Sequence, residues 1–288
     1  MSRIAVIGSG ISGLSAALHL SAPGSGHEVT VFEAGQHFGG HANTVDVTLG
    51  GLTHGVDTGF LVYNERTYPG LIALFDELGV ARAPSEMSFS VQSPQGAGRR
   101  NIEWSGNSLN TVFAQRRNLL RPRFWSMLRD ILRFNELTTA LAVSGADAAL
   151  SQPIGDFLDE HDFGTPFRAD YFLPMVACIW SCPTEQMLRF PMATMIRFCH
   201  NHGLLQVANR PQWFTVTGGS REYVRKLIKH LKDTRLNTPV LAVTRHAQGV
   251  TVHTHQGPEA FDAVVMACHS DQTLALLGEQ ATATECAL

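Results

Sequence analysis

Ile4-Ala5-Val6-Ile7-Gly8-Ser9-Gly10-Ile11-Ser12-Gly13 sets a short apolar run directly before three glycines spaced G-x-G-x-x-G, and the residues after them follow a helical pattern. A strand that turns tightly on glycine and feeds a helix is the start of a βαβ unit. Gly8 permits the turn at the strand end. Gly10 puts no side chain in the way of a pyrophosphate, and Gly13 lets the helix pack closely on the strand. The helix start offers free N–H groups and a positive dipole end to phosphates. A second β-like run, residues 28–32, ends in Glu33, twenty residues after Gly13. An acid at that point accepts hydrogen bonds from ribose hydroxyls. A chance glycine turn is the competing reading. The position between strand and helix and the spacing of the acid favour a dinucleotide site.

Outward from this unit, the first helix runs to about Leu20, where Pro23, Gly24 and Gly26 stop it. The Gly39-Gly40 pair after Glu33 is either a simple turn or a second close approach of backbone to a larger cofactor. Residues 45–49, Gly50-Gly51 and residues 52–56 read as a β-hairpin. Asp57-Thr58-Gly59-Phe60 follows. Pro69 opens a helix with Leu71, Leu74, Phe75 and Leu78 on one face, closed by Gly79. Met87, Phe89 and Val91 alternate as a strand, residues 93–100 read as a loop, and residues 102–104 as the returning strand.

From about Asn110 to Met195 the pattern is mostly helical. Arg116, Arg117, Arg121, Arg123, Arg129 and Arg133 are interleaved there with Phe124, Trp125, Leu128, Ile131 and Leu132. A helix with a solvated basic face over a buried stripe explains this pattern, and so does an amphipathic helix on an anionic membrane surface. Met192, Met195, Ile196 and Cys199 share a face that suits adaptable core. Residues 213–220 repeat the strand, glycine, helix order, and Val224, Leu227, Ile228 and Leu231 make the buried face of that helix. Residues 240–243 and 250–253 read as strands of a small antiparallel unit. The continuous apolar run of residues 262–267 suits a strand buried on both faces of a parallel sheet. Residues 278–288 show no periodicity.

The 288 residues are 44% apolar and 16% charged with a net charge of −3, which gives no basic field for nucleic acid. The five cysteines form no C-x-x-C pair and read as small buried thiols. The thirteen histidines, His200 and His202 among them, have no metal-ligand spacing, so no metal is expected. The first strand begins within a few residues of Met1, leaving no room for a signal peptide, and no apolar run reaches a membrane span. A cytoplasmic protein is expected, with peripheral membrane contact as a possibility and the oligomeric state open.

Taken together, the three glycines with Glu33, Gly39-Gly40 with Thr44, residues 56–60, residues 216–220, Thr238-Pro239-Val240 and residues 262–267 resemble the FAD-dependent amine oxidase and phytoene desaturase superfamily. The resemblance covers nearly the whole chain. Trp180-Ser181, residues 198–205 and residues 213–220 are similar to a bacterial branch of NAD/FAD-binding oxidoreductases related to the N-terminal part of plant cyclopropane fatty acid synthases. It implies an α/β fold: a Rossmann-like FAD-binding domain, with a parallel sheet and a small antiparallel unit, plus a mostly helical cap. The expected division is an FAD-binding first segment at 1–80, a substrate or cap domain at 81–211, and an FAD-binding second segment at 212–288.

The implied FAD contacts are Gly8, Ser9, Gly10, Ile11, Ser12 and Gly13 at the pyrophosphate and Glu33 with Ala34 at the adenosine ribose. Gly39, Gly40 and His41 would lie near the phosphates and ribityl chain, Gly59 and Phe60 near the isoalloxazine, and Val240 and Ala267 at the adenine-ribose end. Relatives often carry Arg where His41 stands. Tyr63 and Trp180 are candidates to line a substrate cavity, with core packing the plainer role for Trp180. Relatives also close the flavin site with a late glycine-rich segment. Here Gly278-Glu279 runs on into residues 280–284 without a glycine. C-terminal truncation, weak FAD retention and an unpaired sheet edge are the resulting expectations.

The implied activity is an FAD-dependent oxidoreductase that removes hydride from a C–N or C–C bond of an amine or an apolar, lipid-like small molecule. An NAD(P)-linked dehydrogenase and a non-catalytic nucleotide-binding fragment are the alternatives.

Overall fold

The computed structural model describes residues 1–93, 101–146, 150–206 and 210–287. The chain divides into two compact units. Unit 1 comprises Met1–Tyr63, Tyr68–Ser85 and Phe214–Leu288, and unit 2 comprises Asn64–Thr67 and Glu86–Trp213.

In chain order, unit 1 begins with β1 (Ser2–Ile7), α1 (Ile11–Leu20) and β2 (His27–Phe32). The hairpin β3 (Thr44–Leu49) and β4 (Leu52–Asp57) follows, then β5 (Tyr63–Asn64), α2 (Pro69–Glu77) and β6 (Arg82–Ser85). Unit 2 contains the hairpin β7 (Ser90–Ser93) and β8 (Ile102–Ser105). Its helices are α3 (Leu109–Val112), α4 (Pro122–Ser144), α5 (Ile154–Glu160), α6 (Thr165–Phe167), α7 (Leu173–Trp180), α8 (Thr184–Met187) and α9 (Met192–Asn201). The chain then forms β9 (Trp213–Val216), α10 (Arg221–Lys229), β10 (Asp233–Arg235), β11 (Val240–His246), β12 (Gly249–Thr254), β13 (Gly257–Phe261) and β14 (Ala263–Met266). It finishes with α11 (Ser270–Leu277) and α12 (Ala283–Ala287).

The parallel sheet of unit 1 has the order β10-β2-β1-β14, with Ile4 opposite Val29 and Ala263. The pleat sends alternate residues to opposite faces. Ile4, Val6, Val29 and Val31 join Leu14 and Ala17 of α1 in one core. Ala5, Ile7 and Phe32 join Val243, Val250, Val252 and Phe261 of the antiparallel meander β11-β12-β13 in another. This double covering is why β1 is apolar at successive positions instead of alternating.

Three sequence expectations change. β14 pairs with β1 but lies at the sheet edge, and Val264, Val265 and Met266 are half-buried rather than enclosed on both faces. Its apolar run reflects parallel pairing without a second neighbour among the described residues. The strand expected at 87–91 forms at Ser90–Ser93, where it pairs antiparallel with β8. The loop expected at 93–100 lies, beyond Ser93, outside the described residues. The C-terminal stretch is helical at Ala283–Ala287, because Arg245 Nη1 pairs with Glu285 Oε1 at 2.9 Å and Glu285 Oε2 accepts the Thr282 N–H at 2.7 Å.

Unit 2 is built around aromatic and methionine side chains. Phe134, Phe157, Phe167 and Phe172 pack with Met127, Met192, Met195 and Cys199, so the methionine stripe is core. Helix α4 buries Phe124, Met127 and Phe134 and leaves Arg129 exposed. Between α6 and α7 the helix passes through a π-helical turn at Arg168–Phe172. Pro174 lacks the N–H that would bond the Asp170 carbonyl four residues back. The Trp104 indole N–H donates to that carbonyl instead, at 3.2 Å.

Candidate functional site

A cavity of about 1030 Å³ opens within unit 1 where β1, β2 and β14 end, at Ile7, Phe32 and Ala267. The carboxyl ends of parallel strands are the usual ligand crevice of such sheets. The volume lies at the top of the range of roughly 300–1,000 Å³ typical of small-molecule pockets, and so suits an extended ligand.

The three glycines have separable roles. Gly8 has φ +103°, and a Cβ there would come within 2.6 Å of the Ala267 carbonyl oxygen. A Cβ on Gly13 would sit 1.9 Å from the Gly8 carbonyl oxygen, so this glycine sets the contact between helix and strand. A Cβ on Gly10 would meet nothing within 4 Å, and Gly10 lines the cavity. No side chain caps α1 at Gly10, which leaves the first-turn N–H groups available to a ligand.

Ser9, fully buried, ties this loop to Glu33. The Glu33 carboxylate accepts the Ser9 N–H at 3.0 Å, the Ser9 hydroxyl, and the Gly35 N–H at 2.7 Å. The Gly39 N–H donates to the Ser9 carbonyl at 3.0 Å. A Cβ on Gly40 would approach Gly10 Cα to 3.1 Å, so the two glycine loops meet backbone to backbone.

His41 is held through its carbonyl, which accepts the Asn43 N–H at 3.0 Å and the Phe60 N–H at 2.9 Å. A Cβ on Gly59 would lie 2.3 Å from that oxygen. Gly59 therefore makes room for the His41 backbone, while Phe60 faces the cavity. The segment is anchored through Asp57. Its carboxylate accepts the Ser220 N–H at 2.9 Å, the Ser220 hydroxyl at 2.7 Å and the Thr44 hydroxyl at 2.5 Å. Asp57 thus places a negative charge at the start of α10, where the helix dipole favours it. Tyr223 of α10 lines the cavity, and burial, with Asp57 nearby, pushes its phenol up to about 12.

All the residues expected at the cofactor line this cavity except Gly13 and Gly59, whose work is packing. Sequence reasoning missed Tyr68, Leu71, Tyr223, Thr238, His269 and Gln272. Two of these carried a readable signal. Tyr223 precedes Val224 on the buried stripe of α10, and His269 follows an apolar parallel strand, where strand ends converge on a ligand. Tyr63 does not line the cavity. It is fully buried against Phe75, with ring centroids 5.2 Å apart. Trp180 packs on Phe198 and Phe190 at the edge of the unit 2 core. His202 stacks on Phe198, with its Nδ1 2.9 Å from the Phe198 carbonyl oxygen, a structural placement.

The site fits a dinucleotide. An uncapped helix start, an open Gly10 and an acid at the second strand meet in one large cavity. Among the described residues no helix is long and apolar enough to cross a membrane.

The sequence profile of a family described as flavin containing amine oxidoreductase matches residues 11–278. AofH of Mycobacterium tuberculosis, which carries the name of a flavin-containing monoamine oxidase, is 26% identical over 284 residues, covering 92% of this chain and 56% of that protein. The chain thus spans about half the length of the curated relatives it matches. Among solved structures, cyclohexylamine oxidase from Brevibacterium oxydans matches with a TM-score of 0.69 and 21% identity, over 98% of this chain and 61% of that one. A CLA-producing fatty acid isomerase from P. acnes matches with a TM-score of 0.64 and 18% identity, over 99% of this chain and 62% of that one. At these identities the structural matches establish the fold.

Proposed function

The chain belongs to the flavin-containing amine oxidoreductase family, and from that premise we propose that it holds FAD in the unit 1 cavity and oxidises the C–N bond of a small-molecule amine to C=N, the hydride leaving from the carbon that bears nitrogen and the proton from the nitrogen. The observation that carries this reading is the meeting of the open Gly10, the uncapped start of α1 and Glu33 in one dinucleotide-sized cavity. Bound there, FAD supplies the hydride acceptor. The chain's own groups bind and orient it. The first-turn N–H groups of α1 would hold the diphosphate and Glu33 would receive the ribose hydroxyls, with Gly39, Gly40 and His41 near the phosphates and ribityl chain. Phe60 and Tyr223 would serve the flavin end, and Val240 and Ala267 the adenine-ribose end. Hydride removal of this kind requires no protein nucleophile, and no side chain is assigned as one.

A lipid-like substrate taken from a membrane surface is the second reading, supported by one patch of unit 2. Leu119, Leu120 and Trp125 are exposed beside Arg116, Arg117 and Arg121. Exposed apolar side chains among arginines suit an anionic lipid surface. Many of these arginines also bond their own unit, as Arg117 does with the Asn101 carbonyl at 3.1 Å and Arg123 with Asp170 at 2.9 Å.

One experiment separates the readings. The purified chain is mixed with FAD, desalted and examined by visible absorption, then titrated without oxygen with primary amines or with fatty acids in anionic vesicles. Flavin bands, retained at least in part, that an amine bleaches are the expected result. A protein that is colourless after desalting and also leaves flavin fluorescence unchanged in the presence of FAD overturns the cofactor assignment. Bands bleached only by lipid, with the protein sedimenting with the vesicles, replace the amine reading by the second.

A further inference from the structure

The charges that line the cavity bear on how it would hold a diphosphate. Among the described residues that line it there is no lysine and no arginine, and Glu33 adds a negative charge. The side chains there that can become cationic are two imidazoles, His41 and His269. They reach the cavity from different elements, His41 from the loop after Glu33 and His269 from the junction of β14 and α11. Their rings lie nearly parallel, 14° apart with centroids at 6.1 Å, and both residues are exposed. Each is positioned through its backbone. The His41 carbonyl is bonded by Asn43 and Phe60, the His269 N–H donates to Gln272 Oε1 at 3.3 Å, and the His269 carbonyl accepts the Thr273 N–H at 2.8 Å.

We propose that His41 and His269 act together as the charged groups of the diphosphate site, in addition to the neutral N–H groups of α1, so that the chain binds FAD more tightly as the pair gains a proton. The inference rests on the dinucleotide reading of the cavity. Imidazole is the side chain whose charge changes between about pH 5 and 8. An anion beside an imidazole favours the charged form. By linkage, a ligand that binds the protonated pair better gains affinity as pH falls.

Other titratable groups stand around the pair. The phenols of Tyr68 and Tyr223 are both pushed above their ordinary value by burial and stay neutral across the range. The Glu33 carboxylate is held by Ser9 and Gly35. Cys268 Sγ lies 3.3 Å from the Thr273 hydroxyl. Asp271, in the first turn of α11, and His37, whose Nε2 is 3.4 Å from the Gly40 carbonyl oxygen, are outside the cavity lining.

The test measures the dissociation constant of FAD by flavin fluorescence at several pH values between about 8 and 5.5. The proteins compared are wild type, His37→Asn, the double variant His41→Asn/His269→Asn, and His269→Arg. Thermal melts confirm that each is folded. Wild type and His37→Asn should bind FAD about tenfold more tightly at the acid end. The double variant should bind weakly and without that slope. His269→Arg, with a permanent charge, should bind at the alkaline end about as tightly as wild type does at the acid end. FAD binding that is the same at every pH in wild type, or a slope that survives in the double variant, overturns the proposal and leaves the dinucleotide reading standing. No FAD binding at any pH overturns that reading, and this proposal with it.

Discussion

Gly10 and Gly13 are three residues apart in one motif, yet the structure uses them for opposite purposes. A methyl group on Gly13 would lie 1.9 Å from the Gly8 carbonyl oxygen, forcing α1 off β1. Gly13→Ala should therefore destabilise unit 1 by about 1–3 kcal/mol, the usual cost of overpacking. A methyl group on Gly10 meets nothing within 4 Å, and its φ of −63° suits any residue. Gly10→Ala should leave stability within about 0.5 kcal/mol of wild type while sharply reducing flavin retention. Urea unfolding and absorbance after desalting check both. The motif alone showed that all three glycines matter. Their division of labour needed the positions of Gly8 O and Ala267 O, which belong to other parts of the backbone.

Among the elements, the long helix from α6 through α7 shows how a local defect is met by a distant partner. The consequence of Pro174 was not legible in the sequence. The Asp170 carbonyl, freed by the missing N–H, accepts from Trp104, sixty-six positions earlier in the chain. Trp104→Phe keeps most of the buried ring and removes the donor. It should cost about 1–3 kcal/mol, because the carbonyl is left without its partner. Denaturant unfolding followed by circular dichroism measures the loss. Trp104→Tyr, whose hydroxyl projects from the wrong end of the ring, should not restore it. The hairpin β3-β4 and helix α2 were legible because both depend on local patterning and turn residues. Whether β14 had one neighbour or two was not, because sheet order is set by contacts far apart in sequence.

Three carboxylates of unit 1 link the stability of the fold to acid pH. Arg235 bonds Asp233 at 2.7 Å and Glu259 at 2.7 Å, and its hydrogen bonds hold both carboxyls below their ordinary values. Arg245 does the same to Glu285, with help from Thr282, bringing it from 4.5 to about 2. A carboxyl whose folded value is depressed stabilises the fold fully above its unfolded value, and that contribution fades as pH falls through the folded one. Thermal stability should therefore be level near neutrality and fall progressively between about pH 4.5 and pH 2. Arg235→Leu should lower the melting temperature near neutrality and flatten the acid decline. Scanning calorimetry across that window tests both.

The sequence by itself determined the βαβ start, the glycine cradle with its acid, the methionine-lined core of α9 and the family to which the chain belongs. The first three rest on short-range chemistry, namely the sterics of glycine, the period of a helix and the direction of a helix dipole, and the family was read from a resemblance carried by several ordered motifs. Only the tertiary structure decided that Asp57 seats the start of α10, 163 residues away, that Gly59 serves the His41 carbonyl, and that His269 stacks beside His41. Those pairings depend on which distant backbone segments come into contact, and neighbouring residues in the chain carry no record of that.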